Sequence, residues 1–398
     1  MQPLSGIRVL SVTVYLAGPF ASMSLARLGA EVIKVEIPGR GDPGTHPRRN
    51  SDEDISTRFL KRTQGVKSVT LDLKTERGRE LFLELAKQSD VVLENLAPGS
   101  LRRAGLGYEE VAAVNPGIVY ASISGYGQTG PYKDKPAHDP QIQGMSGLMD
   151  INGEADGPRS RLKHAFADLC GALHAVYAIT SALHQRRRTG LGQYIDISML
   201  RATVATMGAG LMEYELTGRV PHPRGNYDPV MAPYGNYPCL GEDEWVSIAV
   251  RTEEEWRGLV KAIDNPDWAV EENFASRYAR LGNRGELDER LSEWTRGRSA
   301  WEATELLQSC GVAAFPVLGA EGRLFNPHFR ERGLYSDIEH PALGSEPVFN
   351  LMWQLSRTPP SIQRHAPLLG EHNRDVFCGL LGLDEAELSR LEEEQVIW

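Results

Sequence analysis

The chain has 398 residues, 24% charged and 41% hydrophobic, the composition of an ordinary globular protein. Its 43 basic and 53 acidic residues leave a net charge of −10, which argues against general nucleic-acid binding, because phosphate neutralisation needs clustered cations. The runs Arg102-Arg103 and Arg186-Arg187-Arg188 are too short to reverse that balance.

Strand and helix signals alternate over the first 125 residues. The β-branched run Ile7–Val12 predicts a strand, and Phe20–Leu28 carries apolar residues at helical spacing, closed by Gly29. Glu31–Glu36 predicts a second strand and Val69–Asp72 a third. A helix over Gly78–Lys87 leads to a strand at Val91–Leu93, and another strand follows at Ile118–Ile123. This alternation predicts βαβ units and a mostly parallel sheet, an α/β fold with a large Rossmann-like domain. Residues 42–66 interrupt it as a long polar loop.

Ala165–Arg187 reads as one long helix, with Leu169, Leu173, Val176, Ile179 and Leu183 on one face, and Ile197–Leu216 reads as another. Pro221, Pro223, Gly225 and Pro229 mark a linker into a smaller α+β domain, and Pro327, Pro341 and Pro347 mark the return. The expected division is residues 1–220 with 330–398 for the large domain and 221–329 for the small one. No apolar stretch runs uninterrupted for ~18 residues and no cationic segment precedes an apolar run at the start, so neither a membrane span nor a signal peptide is expected. Cys170, Cys239, Cys310 and Cys378 are far apart, without metal-ligand spacing, as expected of reduced thiols in a cytoplasmic protein.

Gly39-Arg40-Gly41-Asp42-Pro43-Gly44 is a literal GxGxxG after a strand. A dinucleotide site needs a helix to start inside that motif, whereas Pro43 and a polar run follow, so a glycine-rich turn is expected. His138-Asp139 stands before a helical pattern, where an aspartate commonly caps a helix. Asp168 stands at the start of the long helix among Ala167, Gly171 and Ala172. The helix dipole and open N–H groups favour a carboxylate anion there. Gly171 allows a ligand or another chain to approach, and carboxylates can act as nucleophiles.

These segments carry a family resemblance. Pro3–Leu10, Ala17-Gly18-Pro19, Leu28–Glu36, Lys67–Lys74, Glu94–Gly99, Gly125–Pro131, the Asp168 segment, Thr189–Asp196 and Ala366–His372 follow one another as in the family III CoA-transferases and their relatives, the α-methylacyl-CoA racemases. The resemblance implies that Asp168 is a nucleophile that forms a mixed anhydride while CoA stays on the enzyme. It implies that Leu16, Ala17, Leu71, Lys74, Asn95, Leu96, Ala97 and Arg103 hold CoA, that His138 and Asp139 belong to the catalytic site, and that no metal or other cofactor is needed. It further implies an interlocked ring-like homodimer, or a heteromer with a paralogous subunit, with acyl-CoA and carboxylic acids as substrates and succinyl-CoA as a possible donor. Leu16 and Asp139 depart from the formyl-CoA transferase pattern, which turns the expectation away from oxalate and formate. Arg48 and Arg49 could meet a second carboxylate. The racemase alternative uses His138 and Asp168 as two opposed bases, and the run Gln141–Gly147 resembles the transferases more.

Overall fold

The computed structural model describes residues 2–42 and 62–398. Residues 43–61, which include Arg48, Arg49 and most of the expected long loop, lie outside the described residues. The chain divides into two compact units. The larger comprises Met1–Met149, Arg161–Val220 and Arg330–Trp398, the smaller Asp150–Ser160 and Pro221–Phe329. The sequence reading puts residues 150–160 in the larger domain. In the structure they cluster with the smaller unit, where the Gly225 N–H donates to the Gly153 carbonyl (2.9 Å).

The larger unit starts with β1 (Arg8–Val12), α1 (Ala17–Arg27), β2 (Glu31–Glu36), β3 (Val66–Thr70), α2 (Glu76–Lys87) and β4 (Val91–Glu94). It continues with α3 (Ser100–Arg103), α4 (Tyr108–Val114), β5 (Val119–Ser124), α5 (Asp139–Met145), α6 (Phe166–Thr189) and β6 (Gln193–Ser198). The six strands pair in parallel in the order β3-β2-β1-β4-β5-β6. The β-branched residues that signal the strands are buried on both faces of this sheet, as a helix-covered parallel sheet requires. On one face α1 and α6 enclose Val9, Leu25, Ala121, Ala172, Ala175 and Ile179. On the other, α2 and α4 bury Leu81, Phe82, Leu85 and Val111 against Leu10, Ile33 and Val92. Each fully buried side chain of that size contributes roughly 1.5–3 kcal/mol.

The second long helix expected over Ile197–Leu216 is corrected. Ile197 belongs to β6, the Ser198 hydroxyl caps α7 (Met199–Val204) by accepting the Arg201 N–H (3.2 Å), and α8 (Gly208–Thr217) follows after a break. A local cap at Ser198 overrides a continuous apolar pattern. Helix α6, 24 residues long, is the one helix among the described residues with the length and apolar content to cross a bilayer, which the sequence reading does not expect. It buries one face on the sheet, and Arg186 ties its last turn to Asp90 (2.6 Å) at the start of β4.

The smaller unit holds an antiparallel sheet, β7 (Tyr234–Pro238), β8 (Trp245–Ala249) and β9 (Ala313–Pro316). Helices α9 (Glu253–Ala262), α10 (Arg277–Gly282), α11 (Arg284–Arg296) and α12 (Ala300–Ser309) accompany it. Its core joins Val246 and Ile248 to Trp256, Leu259, Leu287, Leu291 and Leu307. The chain returns to the larger unit through the hairpin β10 (Tyr335–His340) and β11 (Gly344–Phe349), then α13 (Asn373–Phe377) and α14 (Glu385–Glu393). This tail covers the edge of β3. Asn373 Oδ1 accepts the Thr70 N–H (2.8 Å), and the Trp398 N–H donates to Thr70 Oγ1 (2.7 Å). Paired and covered, that edge offers no open ladder.

Candidate active site

In this strand order the loops after β1 and β4 leave the sheet towards opposite faces, and a crevice opens at the carboxyl ends between them. Val14 follows β1 and Asn95 follows β4. The Asn95 side-chain amide donates to the Val14 carbonyl (2.9 Å) and accepts the Val14 N–H (2.8 Å). Gly18, in the first turn of α1, lets this amide come close, because a Cβ there would lie 2.6 Å from Asn95 Oδ1.

Three clefts open around this rivet. One, of about 690 Å³, is lined by Asp168, His138, Asp139, Leu16, Asn95, Leu96 and Ala97, together with Arg62, Tyr15 and Met199. A second, of about 700 Å³, is lined by Leu71, Lys74, Glu36, Arg40, Leu101 and Trp398. Val14 and Leu96 line both, so one ridge separates them. A third, of about 610 Å³, holds Arg103 beside Glu94, Ser122 and Tyr194. The expected site residues therefore fall into three groups. Asp168, His138, Asp139, Leu16, Asn95, Leu96 and Ala97 share a cleft. Leu71 and Lys74 lie across the ridge, and Arg103 is in the third cavity, where it donates to the Pro98 carbonyl (3.2 Å). Ala17 is buried in the first turn of α1 and lines none of the three.

Asp168 is the third residue of α6, whose N-cap is Ala165, so it does not cap its own helix. The cap comes from outside. Asp139 Oδ1 accepts the backbone N–H groups of Ala167 (2.8 Å) and Asp168 (3.4 Å). Asp139 is itself the first residue of α5 and is buried. Its other oxygen accepts from Gln143 Nε2 (2.5 Å), and Gln143 Oε1 accepts the Leu162 N–H (2.9 Å). The sequence reading gives the anion of Asp168 the benefit of the helix N-terminus. The structure gives those amides to Asp139. Burial, and next the negative charge of Asp139, push the Asp168 carboxyl up to about 7, while the Arg62 charge pulls it down. An acidic group poised near neutral pH in a cleft is suited to nucleophilic or general-base work.

Gly171 permits a close approach, as its sequence suggests, but the approaching group belongs to the same chain. A Cβ there would lie 2.9 Å from Met199 Cγ of α7. His138 is exposed at the start of α5, its N–H donates to Gln141 Oε1 (3.0 Å), and its ring meets Tyr15 edge-on at 5.8 Å. Tyr15 has φ +63, a conformation that non-glycine residues rarely hold and that is retained mostly at functional sites. Two bonds fix it: its N–H donates to Asp42 Oδ1 (3.1 Å) and its carbonyl accepts from Arg62 Nη1 (3.0 Å). Asp42 in turn pairs with the buried Lys34 (3.1 Å), whose ammonium also reaches the Thr13 carbonyl. Gly39, Arg40, Gly41 and Asp42 line the second cleft as a turn, with residues 43 and 44 of the motif outside the described residues. Tyr15, Arg62 and Trp398 are missed by sequence reasoning, because each is brought to the crevice by contacts remote in the chain.

The sequence model of CoA-transferase family III matches residues 4–373. Succinyl-CoA–D-citramalate CoA-transferase of Chloroflexus aurantiacus is 37% identical, covering 100% of this chain and 98% of its own length. Succinate–glutarate CoA-transferase of Agrobacterium fabrum is 36% identical, covering 95% of this chain and 96% of its own. The crystal structure of a CAIB/BAIF family protein from Brucella suis superposes with a TM-score of 0.87 at 34% identity, covering 95% of this chain and 99% of that one.

Proposed function

This chain belongs to CoA-transferase family III, and on that premise we propose that it moves CoA from succinyl-CoA to a second carboxylic acid by way of Asp168. The observation that carries the reading is the pair of clefts sharing the Val14–Leu96 ridge, with Asp168 lining one and Lys74 the other. A long, phosphate-bearing thioester suits two joined clefts. Its nucleotide end lies by Leu71 and Lys74, where a cation meets phosphate. Its pantetheine crosses the ridge past Leu96, Asn95, Ala97 and Leu16, and its thioester reaches Asp168. Arg103 braces the Pro98 turn beneath that path.

In this mechanism an Asp168 oxygen attacks the thioester carbonyl, the C–S bond breaks, and an acyl-aspartyl anhydride and CoA thiolate result. The thiolate attacks the aspartyl carbonyl, releasing the donor acid and leaving CoA as a thioester of Asp168. The acceptor carboxylate displaces that thiolate and re-forms an anhydride. The thiolate then attacks the new acyl carbonyl, which yields the product thioester and frees Asp168. Holding CoA throughout makes each step effectively unimolecular.

The partner in this reading is a second copy of the chain in an interlocked dimer. Supporting it, α8 has no buried residue, and Leu211, Met212, Tyr214 and Leu216 are each more than half exposed, an apolar surface of the kind that marks interaction sites. Incubation of the purified protein with succinyl-CoA and a panel of branched, aromatic and dicarboxylic acids tests the function. A new acyl-CoA with stoichiometric succinate supports it, and hydrolysis alone, or no reaction with any acid, contradicts it.

A further inference from the structure

Glu94 is buried at the carboxyl end of β4, lines the third cleft and takes no part in the transfer steps above. Its Oε2 accepts the Leu96 N–H (2.8 Å), and the side chain of Ser122, its partner in register on β5, hydrogen-bonds the same carboxylate. Among the described residues no cation is paired with it. Burial pushes the Glu94 carboxyl up to about 7, while the bonds from Ser122 and Leu96 pull it down. Burying an ionisable group without a counter-charge is costly, and groups kept in that condition cluster at functional sites.

The turn that this carboxylate holds carries the ridge. Asn95, between Glu94 and Leu96, ties the turn to Val14, and Val14 and Leu96 line both clefts of the thioester path. The Asn95 bonds fix the turn to the loop after β1, and the Glu94 bond fixes it to the end of its own strand. We propose that Glu94 is a positioning residue for CoA transfer: by holding the Leu96 N–H it keeps the ridge in the form that the pantetheine arm crosses. It acts through Leu96 and touches neither Asp168 nor the reacting carbonyl. A free carboxylic acid needs only the Asp168 cleft and crosses no ridge, so its binding is independent of Glu94. This role rests on the CoA-transfer reading above.

Exchange between succinyl-CoA and labelled succinate, with label entering the thioester, separates the two substrates. In Glu94→Ala the KM for succinyl-CoA is expected to rise roughly tenfold, the scale of one buried hydrogen bond left unmade. The KM for succinate and kcat are expected to stay within about threefold of the parent, because the chemical step keeps its groups. Glu94→Gln keeps an oxygen for the Leu96 N–H, and its KM for succinyl-CoA is expected to return to within about threefold of the parent. Where Glu94→Ala does not fold, Ser122→Ala takes its place, with the same split expected at smaller size. An equal rise in both KM values, a loss confined to kcat, an unmoved KM for succinyl-CoA, or a Gln variant no better than the Ala one overturns this role and leaves CoA transfer standing. No label in the thioester with the parent protein overturns the transfer reading and this role with it.

Discussion

Asp139 caps the helix that carries Asp168: one of its oxygens accepts the N–H groups of Ala167 at 2.8 Å and Asp168 at 3.4 Å. The same carboxylate opposes ionisation of Asp168, adding to the effect of burial, and the Asp168 carboxyl lies near 7. If the ionised form is the nucleophile, kcat/KM for acyl-CoA rises with pH and levels off above about 7. Asp139→Asn removes the neighbouring charge and keeps an oxygen for the amides. Its pH–rate midpoint is expected to move to lower pH, measured as kcat/KM from pH 5 to 9. An unmoved midpoint contradicts the coupling.

Asp168→Asn is expected to lower CoA transfer by several orders of magnitude, since positioning alone does not replace a nucleophile. The same change affects stability in the opposite sense. Because the folded-state value lies above the ordinary carboxylate value, the folded protein holds its proton more tightly than the unfolded chain. Stability is therefore full below about pH 4 and falls as pH rises to about 7. The Asn variant escapes that loss, and at pH 8 its stability is expected to exceed the parent's by on the order of 1–3 kcal/mol, read as a higher melting temperature, with little difference at pH 4. Thermal melts at the two pH values check this.

Asn95 uses both polar groups of its side chain on the backbone of Val14, which joins the two loops of the crevice. Asn95→Ala orphans a donor and an acceptor, each costing about 1–3 kcal/mol if left unsatisfied. The expected result is a lower melting temperature together with a rise in KM for acyl-CoA of roughly tenfold or more. An unchanged KM contradicts the rivet.

His138 faces the cleft at the start of α5 and meets Tyr15 edge-on. As a polar contact to the acyl group it is worth ~1.4–3 kcal/mol, so His138→Ala is expected to slow transfer roughly tenfold to a few hundredfold. As a base opposed to Asp168 it would instead exchange the α-proton of a 2-methylacyl-CoA. Deuterium uptake from D2O into each enantiomer separates the two roles. No enantiomer-dependent uptake is expected in the parent protein.

Strands β1, β2 and β4 were legible because buried parallel strands are continuous runs such as Glu31–Glu36 and Val91–Leu93. The long helix at Asp168 was legible from Leu169 to Leu183 by spacing alone. The break after Ile197 was not, because a serine cap and a strand end interrupt the helix without disturbing its apolar pattern. At the site, the sequence suggested that Asp139 and Asp168 matter, yet not that one caps the helix of the other. That relationship spans residues 139 to 168 and arises only when α5 and α6 meet. Arg62 left no signal at all, since it stands in a polar stretch and reaches the crevice through the carbonyl of Tyr15.

In this mechanism CoA transfer passes covalently through Asp168. Hydroxylamine added during turnover with succinyl-CoA, with the adduct located by peptide mass spectrometry, reads that passage out. A hydroxamate on Asp168 that forms only when acyl-CoA is present is the expected result. CoA transfer that continues with Asp168 unmodified, or persists at near-normal rate in Asp168→Asn, would contradict it.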